Sequence, residues 1–172
     1  MPDTSPTLVW FRRDLRLADN AALDAAVARG GPVVPVFLKD EILDGLGAAP
    51  KWRMGLGVEA LAAALEERGS RLILRSGPAA EALTALAEET GAGAVYWSRA
   101  YDPRVQDRDK GVKSALQGAG LEAKSFAGHL LFEPWTVATK TGGFYKVYTP
   151  FWKAVKDTEI AEPLAAPSKL PA

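Results

Sequence analysis

Five short runs rich in β-branched and aromatic residues alternate along this chain with alanine-rich stretches, and that alternation restricts the fold to one class. The runs are Thr7 to Phe11, Val33 to Leu38, Arg71 to Leu74, Ala94 to Trp97 and a weaker Glu122 to Phe126. Between them, Ala22, Leu23, Ala26 and Val27 mark one helix face, and Met54, Val58, Leu61 and Leu65 a second. Ala82, Leu83, Leu86 and Ala87 mark a third, and Val105, Val112 and Leu116 a fourth, all at the helical period. Strands separated by helices pair in parallel through right-handed crossovers. The expected architecture is therefore α/β: a Rossmann-like three-layer sandwich with about five parallel strands and flanking helices. Gly30, Gly69, Gly91 and Gly118 or Gly120 fall where these helices should stop.

The first strand leads into the most informative segment of the chain, Arg12-Arg13-Asp14-Leu15-Arg16-Leu17-Ala18-Asp19-Asn20. A loop after a strand in such a fold lies at the carboxyl edge of the sheet, where open α/β sheets bind ligands. A phosphate cradle there would be rich in glycine, whereas this loop carries three arginines. Asp19 or Asn20 is placed to cap the helix that follows. Gly55-Leu56-Gly57 does not replace the missing cradle, because it lies inside a helical pattern and lacks a third glycine.

Composition removes several chemistries. The chain has no cysteine and a single histidine, so disulfides, thiolate zinc sites and His-rich metal sites are not expected. His129 reads as a turn or packing residue. Lysine plus arginine balance aspartate plus glutamate at 21 each. A domain that gripped nucleic acid alone would carry a basic surplus, so this chain is not expected to be the main DNA-binding surface. No apolar run approaches the roughly 20 residues of a membrane span, and the amino terminus has no secretory pattern. A cytoplasmic location without membrane partners is expected. No Ser-His-Asp or Cys-His pattern stands out, and the aspartates are not spaced as a catalytic pair.

The last third differs in character. His129 to Thr149 is rich in turn residues and aromatics, and Thr149-Pro150 opens a short helix carrying Phe151 and Trp152. Residues 158–172 contain three prolines and read as the start of an extended interdomain linker, leaving 1–157 as the domain. Trp135, Tyr145, Tyr148 and Trp152 form either a docking surface for a further domain or a small satellite core.

Leu8-Val9-Trp10-Phe11-Arg12-Arg13-Asp14-Leu15-Arg16 followed by Asp19-Asn20 resembles the opening of the DNA photolyase and cryptochrome family. So do Ala49-Pro50-Lys51-Trp52-Arg53, Tyr101-Asp102-Pro103 with Arg108-Asp109, Leu131-Phe132-Glu133-Pro134, and Tyr145 to Lys153, in order and spacing. The resemblance is to the amino-terminal α/β domain of a deoxyribodipyrimidine photolyase. It implies an antenna chromophore (a deazaflavin, a folate or a flavin) in this domain and a catalytic FAD in a larger helical domain that is missing here. It also implies that damaged DNA is met through that second domain. There, reduced FAD gives an electron to a pyrimidine dimer flipped out of DNA, the bonds joining the bases break, and the electron returns.

An antenna site needs a slot for a flat ring and cations for an acidic tail. The resemblance and the carboxyl-edge rule together single out Trp10, Phe11 and Phe37 as ring contacts and Arg12, Lys39 and Lys51 as partners for anions. Asp102 would accept hydrogen bonds from a ring. For each a structural role competes: core packing for Trp10, a loop-to-helix ion pair for Arg12, a helix opening for Asp102. Arg13, Asp14 and Arg16 read as a structural network. Folate-using members carry Asn-Glu where this chain has Arg104-Val105, and deazaflavin users carry an acidic residue where it has Ala100. The pattern leans away from folate. Two further readings are the same domain of a cryptochrome photoreceptor and a stand-alone nucleotide- or flavin-binding α/β module. The isolated chain is not expected to repair DNA.

Overall fold

The computed structural model describes residues 4–171. Strands β1 (Thr7–Phe11), β2 (Val33–Lys39), β3 (Ile73–Ser76), β4 (Ala94–Ser98) and β5 (Glu122–Phe126) form one parallel sheet in the order β3-β2-β1-β4-β5. Helices α1 (Ala21–Arg29) and α3 (Ala48–Glu66) make the first two long crossovers. Helices α4 (Ala79–Thr90) and α5 (Pro103–Gly118) make the other two. A four-residue helix, α2 (Glu41–Asp44), precedes α3, and α6 (Tyr148–Val155) follows β5 after a long loop.

Side-chain alternation divides the core into two layers. Leu8 and Trp10 of β1 and Val95 and Trp97 of β4 face Leu83, Leu86, Val112 and Leu116 of α4 and α5. Val9, Phe11 and Tyr96 face the opposite way, against Leu23 and Ala26 of α1 and Leu61 and Leu65 of α3. A strand buried on both faces has no polar face to show, which is why β1 and β4 read as continuous apolar runs. The expected third strand, Arg71 to Leu74, lies two residues further on, at Ile73–Ser76. As an edge strand it is largely exposed, so its apolar pattern was too weak to mark its limits.

The helix signals act as local physics requires. Asn20 caps α1 by accepting from the Leu23 amide, and Gly30 ends the helix in the left-handed conformation at φ 89°. Gly57 has a packing role in α3: a Cβ there would lie 2.7 Å from the Leu15 side chain.

The proline-rich tail is extended, and it is also docked. Leu164 accepts from the Asp19 amide at the carboxyl edge of the sheet, and Pro167 accepts from Arg68 Nε. Pro171 accepts from the Val33 amide at the amino end of β2, while Leu170 is buried to 1% exposure in the α1–α3 layer. Residue 172, the last of the expected linker, lies outside the described residues.

Candidate functional site

The chain runs outward from β1 to β3 and then returns to place β4 on the other side of β1. Loops leaving the carboxyl ends of β1 and β4 diverge there, and such a reversal opens a crevice. A cleft occupies this position, with a cavity volume of about 60 Å³ and about 550 Å³ out to its open mouth. Phe37, Ile42, Leu43, Leu46 and Met54 supply its apolar wall, and Arg12, Arg13, Arg108 and His129 bring nitrogen donors to it. A further hollow of about 110 Å³ adjoins it, sharing Arg13, Ile42, Leu46 and Val105 and adding Asp102.

A charged network fixes the polar side. Arg12 Nη1 lies 2.7 and 3.0 Å from the two carboxylate oxygens of Asp109, and its Nη2 donates to the Ser98 carbonyl. Arg108 Nε meets the same carboxylate at 2.8 Å, and its Nη1 pairs with Asp40. Asp40 in turn caps α2 by accepting from the Ile42 and Leu43 amides at 3.1 and 2.8 Å. The network therefore ties α5 to the short helix whose apolar side chains form the lip of the cleft. Beneath it, both guanidiniums stack on the Trp10 ring, 4.8 and 4.7 Å from its centroid.

Asp14 is buried and accepts from the Arg12 amide at 2.9 Å and from Ser98 Oγ at 2.5 Å. Arg16 holds the loop through the carbonyls of Asp19 and Gly128, each at 2.8 Å. His129 sits at the rim. Its pKa is pushed below the usual imidazole value by desolvation and by the cations Arg12, Arg16 and Arg13, against the pull of Asp14.

The seven residues singled out from sequence do not all converge. Phe37 and Arg12 line the cleft, and Asp102 lines the adjoining hollow while capping α5 through the Arg104 and Val105 amides. Trp10 and Phe11 are fully buried on opposite faces of the sheet. Side chains alternate across a strand, so adjacent residues cannot flank one slot, and neither ring offers surface to a ligand. Lys39 and Lys51 do not line the cleft; they converge on Asp44, Lys39 on its carboxylate at 2.7 Å and Lys51 on its carbonyl at 2.9 Å. Sequence reading missed Arg108 and Asp40 as part of the site, and it placed His129 in a turn without noting the cleft.

The aromatic tail segment is a surface. Trp135, Phe144 and Tyr148 are 64, 74 and 71% exposed, and Trp152 is half exposed, stacked on Tyr148 at 6.4 Å. Trp52, at the free end of α3, is also exposed. Among the described residues no helix is long and apolar enough to cross a membrane, and no group of His, Cys, Asp or Glu is placed to hold a metal.

Comparison with known proteins matches residues 7–168 to the family model described as DNA photolyase. A deoxyribodipyrimidine photo-lyase of Agrobacterium fabrum is 47% identical over 166 residues, covering 96% of this chain and 35% of that protein. The crystal structure of a bacterial class III photolyase from Agrobacterium tumefaciens superposes with a TM-score of 0.93 at 46% identity, covering 99% of this chain and 36% of that one. An archaeal photolyase from Sulfolobus tokodaii, described as holding two FAD molecules with implication of a novel light-harvesting cofactor, gives a TM-score of 0.81 at 25% identity. It covers 96% of this chain and 37% of that one. The chain thus spans about a third of the length of the proteins it matches.

Proposed function

The chain belongs to the DNA photolyase family, and from that premise we propose that it is the light-harvesting domain, holding a flat pigment in the cleft between the ends of β1 and β4. The observation that carries this reading is the pairing of an apolar wall with fixed cations at the reversal of strand order.

The residues present fit such a group. Phe37, Leu43, Leu46 and Met54 match the face of a ring, and Arg13 matches an acidic substituent. The cavity volume is smaller than a three-ring pigment, so the ring lies in the open part of the cleft, against the lip formed by α2. When bound, the pigment supplies absorption of near-ultraviolet or blue light. The protein's own contribution is to fix the ring's orientation. Arg12 and Arg108 are neutralised by Asp109 and Asp40 and stacked on Trp10, so their positions do not depend on the ligand.

The wider reading is that the parent protein repairs cyclobutane pyrimidine dimers with reduced FAD bound in a helical domain. The exposed aromatics Trp135, Phe144, Tyr148 and Trp152 support docking of that domain onto this one. The net charge of zero supports contact with DNA through the other domain.

The test is to add candidate deazaflavin, folate and flavin pigments to the purified chain and record near-ultraviolet and visible spectra. Saturable binding with a shifted spectrum, lost in Leu43→Trp, supports the reading. A chain that binds none of them and takes up ATP instead would mark a nucleotide-binding module. Illuminated repair of a dimer-containing oligonucleotide by the full-length protein separates a photolyase from a photoreceptor of the same family.

A further inference from the structure

We propose that Arg12 and Arg108 are a redox guard: they keep Trp10, and Trp97 behind it, from giving an electron to a photo-excited ring in the cleft at the β1–β4 reversal. The proposal rests on the light-harvesting reading for its purpose, while its physical content stands on the arrangement around Trp10. Indole is among the most readily oxidised side chains. Trp10 is fully buried, and its ring centroid lies 6.0 Å from that of Trp97 at an interplanar angle of 58°, close enough for the pair to share a positive charge. Both arginines line the cleft and both lie over Trp10, so a layer of guanidinium is what separates this donor from the cleft.

A ring that harvests light must hold its excitation until it is passed on, and a site for it must exclude competing reactions. Electron transfer is such a reaction. One electron would pass from the indole to the excited ring, an indole radical cation would remain, and the excitation would be lost. The first obstacle to it is charge. The guanidinium carbons lie 4.8 and 4.7 Å from the Trp10 centroid, where the π-electrons of a neutral ring attract them. Taking an electron from the ring turns that attraction into repulsion between like charges, at short range and away from water. Asp109 and Asp40 balance the two cations across the network, but they meet the N–H groups, and the cationic carbons are what lie over the ring.

The second obstacle is the proton. An indole radical cation is a strong acid, and loss of its Nε1 proton is what makes the oxidation last. Proton transfer needs an acceptor within hydrogen-bond reach. The Nε1 atoms of both Trp10 and Trp97 are buried with no partner among the described residues. A positive charge on either ring therefore cannot be trapped as a neutral radical, and the electron returns. Buried donors normally find acceptors. Two bare ones on stacked tryptophans beneath the cleft are accounted for by a pair that is kept from being oxidised.

The test needs no native pigment. The 172-residue chain has no cysteine, so Leu46→Cys in the cleft wall takes a maleimide-linked isoalloxazine at one place only. Trp52, exposed at the free end of α3, is changed to Phe in every sample to remove a competing donor. The readouts are the excited-state lifetime of the label and the transient absorption of a tryptophan radical. Trp10→Phe alone is expected to leave the lifetime unchanged, because Trp10 is already silent. Arg108→Met with Asp40→Asn removes one cation together with its carboxylate, and Asn still caps α2. That pair of changes is expected to shorten the lifetime about tenfold and to yield the radical signal, and adding W10F restores both. Arg12→Met with Asp109→Asn repeats the measurement from the other cation, and circular dichroism checks that each variant is folded. The proposal is overturned if W10F alone lengthens the lifetime, if both charge-deleted variants keep the parent lifetime, or if their shortening survives W10F. The pigment titrations test the light-harvesting reading separately: a chain that binds no pigment loses that reading, while the label's lifetime still decides the guard.

Discussion

Arg12 and Asp109, 97 positions apart in sequence, meet with one guanidinium nitrogen 2.7 and 3.0 Å from the two carboxylate oxygens. Both side chains are nearly buried, at 11 and 13% exposure. The pair joins the loop after β1 to α5 beside the cleft at the β1–β4 reversal. Removing one partner leaves the other charge poorly solvated. Arg12→Ala and Asp109→Ala are each expected to lower stability by about 2–4 kcal/mol. Urea unfolding of both single variants and the double variant measures this, and the double variant should lose less than the sum.

The tail is expected to behave as part of the domain. Leu170 fills the layer between α1 and α3, so Leu170→Ala should cost about 2–4 kcal/mol. A chain ending at Asp157 should lose at least as much and show faster amide exchange along α1. Thermal melts equal to those of the full chain would show that the strap contributes nothing.

Asp102 separates a structural role from a binding role. Its Oδ1 accepts from the Arg104 and Val105 amides, at 3.0 and 3.3 Å. Asp102→Ala is therefore expected to destabilise by about 0.5–2 kcal/mol, and Asp102→Asn, itself a good cap, by much less. If Asn and Ala variants bind pigment as the parent does, the residue acts through the helix alone.

His129 gives a signed pH dependence. Its folded-state pKa lies below the unfolded value of about 6.5. The unfolded chain then takes up this proton more readily. The stability contribution is full above that pH and is lost as pH falls from it through the lowered folded value. His129→Gln should flatten the slope in that window while leaving stability at pH 8 unchanged. Anionic pigment should bind more tightly at acid pH in the parent than in H129Q, which a pH series of titrations measures.

The sheet was legible because burial on both faces forces strands such as Leu8–Phe11 and Ala94–Trp97 into unbroken apolar runs, separated by helices with period and caps. β1 and β5 fall where the pattern places them, and the parallel arrangement follows from the crossovers. The cleft was legible as a location only. Trp10 and Phe11 were misplaced because nearness in sequence to the carboxyl edge does not say which way a side chain points. Lys39 and Lys51 were misplaced because α2, four residues long, carries no periodic signal, and Asp44 within it captures both lysines. Arg108 was named only as part of the family resemblance, because its place in the sequence does not say what its side chain meets. Only the crossing of α5 over the end of β1 brings it onto Trp10.

The docked tail fixes the course of the last described residues across the domain. Leu164 lies by the β1–α1 loop and Pro171 by the first residue of β2, so the backbone traverses the full height of the sheet and reaches the pole opposite the carboxyl edge. A five-residue strand is about 17 Å tall. A fluorophore attached beyond Pro171 would therefore stand at least that far from the cleft at the β1–β4 reversal, close enough to exchange excitation with an added pigment if the proposed site holds one, and too far to obstruct it.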